Sequence, residues 1–390
     1  MARLDRYLLA LAALGWLIAV AALVPLGYGL DNDSYRMLAT WQTMVHEDRY
    51  VASRYTGYIV SEFAFGFGAW LGGAWLANLT AAACATAAMP ITWLLARKLG
   101  VARPELVVAL VLANPWIMIA SARPIDHMIT YLFLVSGMVA VLYGRVLPGV
   151  LLLAIAAGSR MQVLLYGMIF LWMVARSRPE TGLRRWEALP ALLLITGLFY
   201  LPVWISHGLS LDWLTAAWID EQGLAGLAAR MALKWPRLFG LVPCAVAAIL
   251  AMTAWRKVSL RESVREDFAL RLSFTMCLLG LLIYFRLPTD ISFSIYMVPF
   301  VAVLLERSGA VLALRALVLG SLMTALVDLE PLTITAQRGD ACGHLVLAAR
   351  IDPHLAKGPV LTEWSEHPRG DACYRAQLPI PYVRANDPLP

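Results

Sequence analysis

The residues able to do chemistry gather at a few places in this chain. In GYGLDNDSYRML (27–38) two carboxylates, Asp31 and Asp33, stand one residue apart. They directly follow an almost charge-free run of about twenty residues. A carboxylate within hydrogen-bond reach of a hydroxyl can take its proton. A D-x-D pair can also hold a divalent cation, Mg or Mn, or serve hydrogen bonding only. RYTGYIVSE (54–62) adds Arg54, Tyr58 and Glu62, and SARPIDHM (121–128) adds Arg123, Asp126 and His127. GSRMQ (158–162) supplies Arg160 and Gln162, and FRLPTDISFSIY (285–296) supplies Arg286, Asp290 and Tyr296. Guanidinium forks match phosphate oxygens, so the arginines suit a phosphate. Each charge also has a bland reading as a solvated loop residue.

These residues must be positioned by a membrane bundle. The 390-residue chain is 60% hydrophobic and 15% charged. Soluble chains are nearer 45–50% apolar and about 25% charged. Apolar runs long enough to span a bilayer recur along most of the sequence. The fold class is therefore an all-α polytopic membrane protein. The net charge of +6 comes from short basic clusters between apolar runs, the pattern of cytoplasmic loops rather than of nucleic-acid binding. The N-terminal run reads as an uncleaved first helix rather than a signal peptide.

The basic clusters fix the topology. Arg3 and Arg6 precede the first helix, and Arg97, Lys98 and Arg103 follow the second. Later clusters sit at Arg145, at 176–185, at 256–265 and at 307–315. If all face the cytoplasm, segment 28–74 does not cross and holds two helices lying on the outer surface. Helices are predicted near 75–97, 105–122, 127–144, 147–159, 161–176, 187–206, 238–256, 268–286, 291–305 and 309–327, about eleven with the first. The stretch 207–236, with Trp213, Trp218 and Trp235, is predicted as an extracytoplasmic interfacial segment. The chain then divides into a transmembrane domain, 1–327, and a small extracytoplasmic tail, 328–390. A tail of that length cannot bury a large core unaided.

There are five cysteines. Cys84, Cys244 and Cys277 lie in apolar runs and read as core residues. Cys342 and Cys373 end a repeated RGDAC pentapeptide in the tail. In an oxidising compartment two such cysteines suggest a disulfide stapling the tail. The RGD itself reads as turn chemistry.

With this topology the acids and arginines converge at one membrane face, where unpaired charge is costly and a functional site is the default reading. The ordered features resemble the GT-C superfamily of integral-membrane glycosyltransferases, of mannosyltransferase or aminoarabinose-transferase type. One helix precedes an acidic first-loop motif, DNDSYRML. RYTGY leads into a juxtamembrane helix, and LLARKLG closes the next helix. LANPWIMIASARPIDHMITYLFL resembles a third helix, a second acidic corner and a fourth helix, and AIAAGSRMQ a later corner carrying an arginine. RYTGY lacks a proline common at that place in the family, and the tail is smaller than in many members.

The resemblance implies a polyprenyl-phosphate-sugar donor, an extracytoplasmic acceptor and inversion at the sugar carbon. It implies a bacterial inner-membrane location with a cytoplasmic N-terminus. Asp31 or Asp33 would be the base, with the other acid orienting or helping to hold a metal, and Asp126 would be the second acid. Arg54, Arg123 and Arg160 would meet the lipid phosphate, with Tyr58, Glu62, His127 and Asp290 lining the substrate. Two rivals stand beside it. A polysaccharide polymerase or ligase would also use outward arginines, but more often in a large late loop. A lipid-linked substrate transporter would show internal repeats and charges at helix centres; here most acids sit at helix ends.

Overall fold

Alternation of apolar runs and basic clusters is realised as an up-and-down array of helices. The computed structural model describes residues 2–54, 56–211, 228, 231–232, 234–256, 266–286, 291–338 and 345–367. The first helix, α1 (Ala2–Leu23), is followed by α2 (Asn32–Glu47) and by α3 (Ile59–Lys98). Next come α4 (Pro104–Ala113), α5 (Pro115–Ala120), α6 (His127–Leu142), α7 (Val146–Ser159) and α8 (Val163–Ser177). Then follow α9 (Arg185–Phe199), α10 (Leu201–Ser206), α11 (Leu241–Trp255), α12 (Phe268–Arg286), α13 (Val298–Arg307) and α14 (Val311–Thr324).

Every predicted apolar segment contains a helix. Three described helices are by themselves long and apolar enough to cross a bilayer: Arg3–Leu26, Ile59–Lys98 and Phe268–Phe285. Three predicted segments are broken, the 291–305 run into a 3-10 stretch (Ile291–Met297) followed by α13. The 105–122 run is α4 plus α5, because Pro115 cannot donate to the helix ladder. Asn114 repairs the break. Its Oδ1 accepts from the N–H groups of Trp116 (3.1 Å) and Ile117 (3.2 Å), and its Nδ2 donates to the Leu238 carbonyl (2.7 Å). The 187–206 run breaks the same way before Pro202.

The predicted pair of helices in 28–74 is present as α2 and the first part of α3. Within α3 the ladder is interrupted at Gly72 and Gly73. Gly73 has φ +62° and ψ −157°, a conformation open to glycine alone. The segment before the kink packs on α2; the segment after it joins the bundle.

The start of α1 and the basic stretches around Arg103 and 307–315 share one end. Asp5, buried near the start of α1, accepts from Arg315 Nε at 2.8 Å and lies 3.5 Å from Arg103 Nε. Arg103 also faces Glu306 at 3.4 Å, and Arg307 donates to the Gly100 carbonyl at 2.8 Å. The polar residues of 28–62, 121–127 and 159–162 lie at the opposite end, where α1 terminates.

The tail departs from the all-α reading. Strands β1 (Val327–Arg338) and β2 (Leu345–Lys357) pair antiparallel, with a register irregularity between Glu330 and Leu332. Residues 359–367 are helical and return to the end of the bundle. Cys342 and Cys373 lie outside the described residues, as do Trp213, Trp218 and Asp290. The apolar cysteines Cys84, Cys244 and Cys277 are free thiols, and Cys277 is buried.

Close approach of α2 to α3 depends on Gly66. A Cβ there would collide with the Trp41 Cβ. Gly66→Ala therefore forces α2 outward and should cost about 1–3 kcal/mol, by the usual penalty of overpacking. A lowered melting temperature in detergent or nanodiscs, read against wild type, checks this. An unchanged melting temperature would show that α2 is not clamped there.

Candidate functional site

The site is built where α1 ends. Asn78, buried on α3, donates from Nδ2 to the carbonyls of Val24 (2.8 Å) and Gly27 (2.6 Å). This fixes the turn that leads out of α1. Asp31 then caps α2, its Oδ1 accepting the Asp33 N–H at 2.9 Å. An aspartate at this position satisfies an orphan donor and favours the positive helix end. Capping orients Asp33 inside the first turn.

The loop carrying Arg54 is held by Glu62. This buried carboxylate accepts from the Tyr50 hydroxyl (2.7 Å), from the Ser53 N–H (2.9 Å) and hydroxyl, and from the Tyr58 N–H (3.1 Å). Glu62 therefore faces its own loop. Gly57, at φ +66°, closes the turn; a Cβ there would meet Val203 Cγ2 at 2.5 Å.

Asp126 is the centre. It is fully buried at the corner between α5 and α6. Arg54 donates to Oδ1 at 2.9 Å and Arg160 donates to Oδ2 at 2.6 Å. The other arm of Arg54 donates to Asp33 Oδ2 at 2.9 Å. Arg160 also donates to Gln162 Oε1 at 2.9 Å and to His127 Nδ1 at 2.8 Å. An arginine only donates, so His127 Nδ1 accepts and its proton sits on Nε2. The Tyr296 hydroxyl lies 3.3 Å from the same Nδ1. Arg54 stacks on Tyr58 at 3.6 Å and Arg160 on Phe293 at 4.3 Å.

Arg123 closes the other side. It sits 3.3 Å from Asp31 and 3.7 Å from Glu363 of the tail helix. Three segments far apart in the chain thus place three guanidinium groups around three aspartates. Buried charges persist only when paired, and removal of one partner of a buried pair costs about 3–5 kcal/mol. Around Asp126, three buried donor atoms have no protein hydrogen-bond partner among the described residues: Arg54 Nε, Arg160 Nη2 and His127 Nε2. They are available to an anion.

Asp33 and Asp126 behave oppositely. Burial lifts the Asp33 carboxyl above its ordinary value of 3.8; Arg54 opposes this, while Asp31 and Asp126 add to it. Burial also lifts Asp126, but Arg160 and Arg54 outweigh it and hold that carboxyl down at about 2. Asp126 stays ionised at any ordinary pH. Asp33 is the more readily protonated and, with its side chain 26% exposed against 0% for Asp126, the more accessible.

Ten predicted residues come together: Asp31, Asp33, Arg54, Tyr58, Arg123, Asp126, His127, Arg160, Gln162 and Tyr296. Asp290 lies outside the described residues. The donor set does not make a metal site of Asp31 and Asp33. Each faces a guanidinium, and among the described residues no three His, Cys, Asp or Glu side chains are placed so that they could hold a metal ion. Asn78, Phe293 and Glu363 escaped sequence reasoning; an asparagine inside an apolar helix was the one signal available. A cavity of about 550 Å³ lies at the other end, beside Arg176, Leu183, Arg184 and Trp186.

No family model matches the chain, and no curated protein sequence does. Two solved structures share its architecture. ArnT from Cupriavidus metallidurans in the apo state superposes with a TM-score of 0.54 at 14% identity, covering 78% of this chain and 58% of that one. ArnT bound to undecaprenyl phosphate gives a TM-score of 0.56 at 14% identity, covering 78% and 59%. The chain thus spans less than two thirds of ArnT's length. Over the residues that superpose, the helical array shares the fold of ArnT.

Proposed function

We propose that this chain is a membrane glycosyltransferase that moves a sugar from a polyprenyl-phosphate donor to an extracytoplasmic acceptor hydroxyl. The observation that carries the reading is the convergence of Arg54, Arg160 and Arg123 on Asp126, Asp33 and Asp31, with unpaired donors on Arg54 and Arg160. The fold adds to it, since ArnT has been solved with undecaprenyl phosphate bound. In this reading the recurring apolar runs make about eleven crossings. The basic end faces the cytoplasm by the positive-inside rule, and the site and tail face outward.

Asp33 is the base. Its lifted pKa and partial exposure suit proton removal, since a base works best when its pKa approaches the working pH. It takes the proton of the acceptor hydroxyl as that oxygen attacks the anomeric carbon. The bond from that carbon to the phosphate oxygen breaks, and polyprenyl phosphate leaves with the electron pair. Arg54 and Arg160 donate to the phosphate as its charge grows, which is worth most in a dry site. Asp126, permanently ionised, fixes the two guanidinium groups and takes no proton. Asp31 holds the helix cap that aims Asp33. None of these steps calls on a metal.

The test is donor turnover. Purified protein in nanodiscs is incubated with a panel of polyprenyl-phosphate sugars, and donor loss is followed by mass spectrometry. Asp33→Asn should lower turnover at least about a hundredfold, the usual scale for a general base. Asp31→Asn, which still accepts at the cap, should lose less. Wild-type rates in both well-folded variants would sink the proposal, and so would a wild type that consumes no donor.

The pH profile gives a separate test. A base acts as its carboxylate, so kcat rises with pH through the raised Asp33 pKa and is lost as pH falls below it. The acid limb should lie above the ordinary aspartate value of 3.8. Arg54→Gln removes the cation that lowers this pKa and should move the limb further up. A limb that stays in place in that variant would rule out Asp33 as the titrating group.

A further inference from the structure

Glu363 lies in the helical stretch 359–367 at the end of the tail, buried against the site. One carboxylate oxygen accepts the Leu30 N–H at 2.9 Å. The other lies 3.7 Å from Arg123 Nη1, on the guanidinium that faces Asp31. Leu30 is the residue immediately before Asp31. A single carboxylate therefore grips both the backbone entering the first-loop motif and the arginine beside it.

The local backbone makes this grip close. Gly29 holds φ +93°, and a Cβ there would lie 3.0 Å from Arg123 Cδ and 3.2 Å from Glu363 Oε1. The chain thus passes tightly between the arginine and the tail carboxylate, in a backbone conformation that favours glycine. Leu23, Ile119, Ala122 and His367 close the crevice around them. The tail helix is tied to the bundle by backbone as well. Gly358 N–H donates to the Leu326 carbonyl (2.7 Å) and Val360 N–H to the Ala325 carbonyl (3.1 Å). Glu363 is delivered from a fixed point at the end of α14.

We infer that Glu363 is a positioning residue of the transfer site. Its carboxylate latches the Gly29–Leu30 backbone so that Asp31 and Asp33 point at the arginines, and its charge shares Arg123 with Asp31. The tail is then a working part of the site, not an appendage. The kinetic half of this inference rests on the transferase reading; the latch itself does not.

The two halves separate by substitution. Glu363→Gln keeps an oxygen that can accept from Leu30 and loses the charge on Arg123. Glu363→Ala loses both. Glu363→Asp keeps the charge and loses reach, and it carries the test if the alanine variant does not fold. The first readout is amide hydrogen exchange of the peptide spanning 27–38, in nanodiscs, at wild-type melting temperature. Exchange there should quicken about tenfold in the alanine and aspartate variants, the scale of one lost hydrogen bond to a charged group, and stay near wild type in the glutamine variant. Unchanged exchange in the alanine or aspartate variant overturns the latch.

The second readout is kinetic. In Glu363→Ala kcat should fall about tenfold, as expected when a reacting group is slightly misplaced. In Glu363→Gln kcat should hold while donor KM drops, because Arg123 loses one competing carboxylate. A helix that merely docks for stability would give wild-type kcat and KM in folded variants, and that result overturns the positioning role. A wild type with no turnover removes the transferase reading alone, and exchange then decides the latch.

Discussion

The whole site hangs on one buried carboxylate. Asp126 has no exposure and can be ionised there only because Arg54 and Arg160 each donate to a different oxygen of it. Neither arginine is tolerable alone at that depth, since an unpaired buried charge costs several kcal/mol. Each partner therefore makes the other two possible. Arg54 comes from the loop before α3, Asp126 from the corner before α6 and Arg160 from the corner after α7. Electrostatic need draws these three places to one point, and Asp33 joins through the second arm of Arg54.

Around that point the polar side chains are turned on the backbone. Glu62 accepts from the loop that bears Arg54, Asn78 donates to the turn after α1, and Asp31 caps α2. Each satisfies a backbone group that a chain turning inside apolar surroundings leaves without water. The same contacts fix the direction of the next side chain along. Positioning and hydrogen-bond satisfaction are here one set of contacts, so a mutation in them would be felt both as lost stability and as lost aim.

Much of this is legible in the sequence, for physical reasons. A helix that must cross hydrocarbon needs a long apolar run, and such runs show at once. Charges are expensive at membrane depth, so acids and arginines at helix exits stand out against the apolar runs and mark the site; Asp31, Asp33, Arg54, Asp126 and Arg160 are all visible that way. The kink at Gly72–Gly73 is signalled by its glycines, and the breaks at Pro115 and Pro202 by their prolines. Glu363 is not legible. It meets Leu30 across 333 positions, and a glutamate in a polar tail looks like any solvated residue. The β-hairpin escapes for a similar reason: the length and polarity of 328–390 carry no strand register.

The two aspartates nearest the arginines illustrate how environment assigns roles to one side-chain type. Both are buried enough to be pushed toward the neutral form. Asp126 receives two guanidinium groups and is driven the other way, so it remains a carboxylate throughout the accessible pH range. Asp33 is bonded by one guanidinium, with Arg36 a weaker second cation, and feels two neighbouring carboxylates; burial prevails. A group that never takes a proton can only hold; a group whose affinity for protons has been raised can exchange one with a hydroxyl at its side. In the proposed reaction, the number of guanidinium groups bonded to each acid, set by the helix corners that carry them, is what would make one carboxylate a fixture and the other a base.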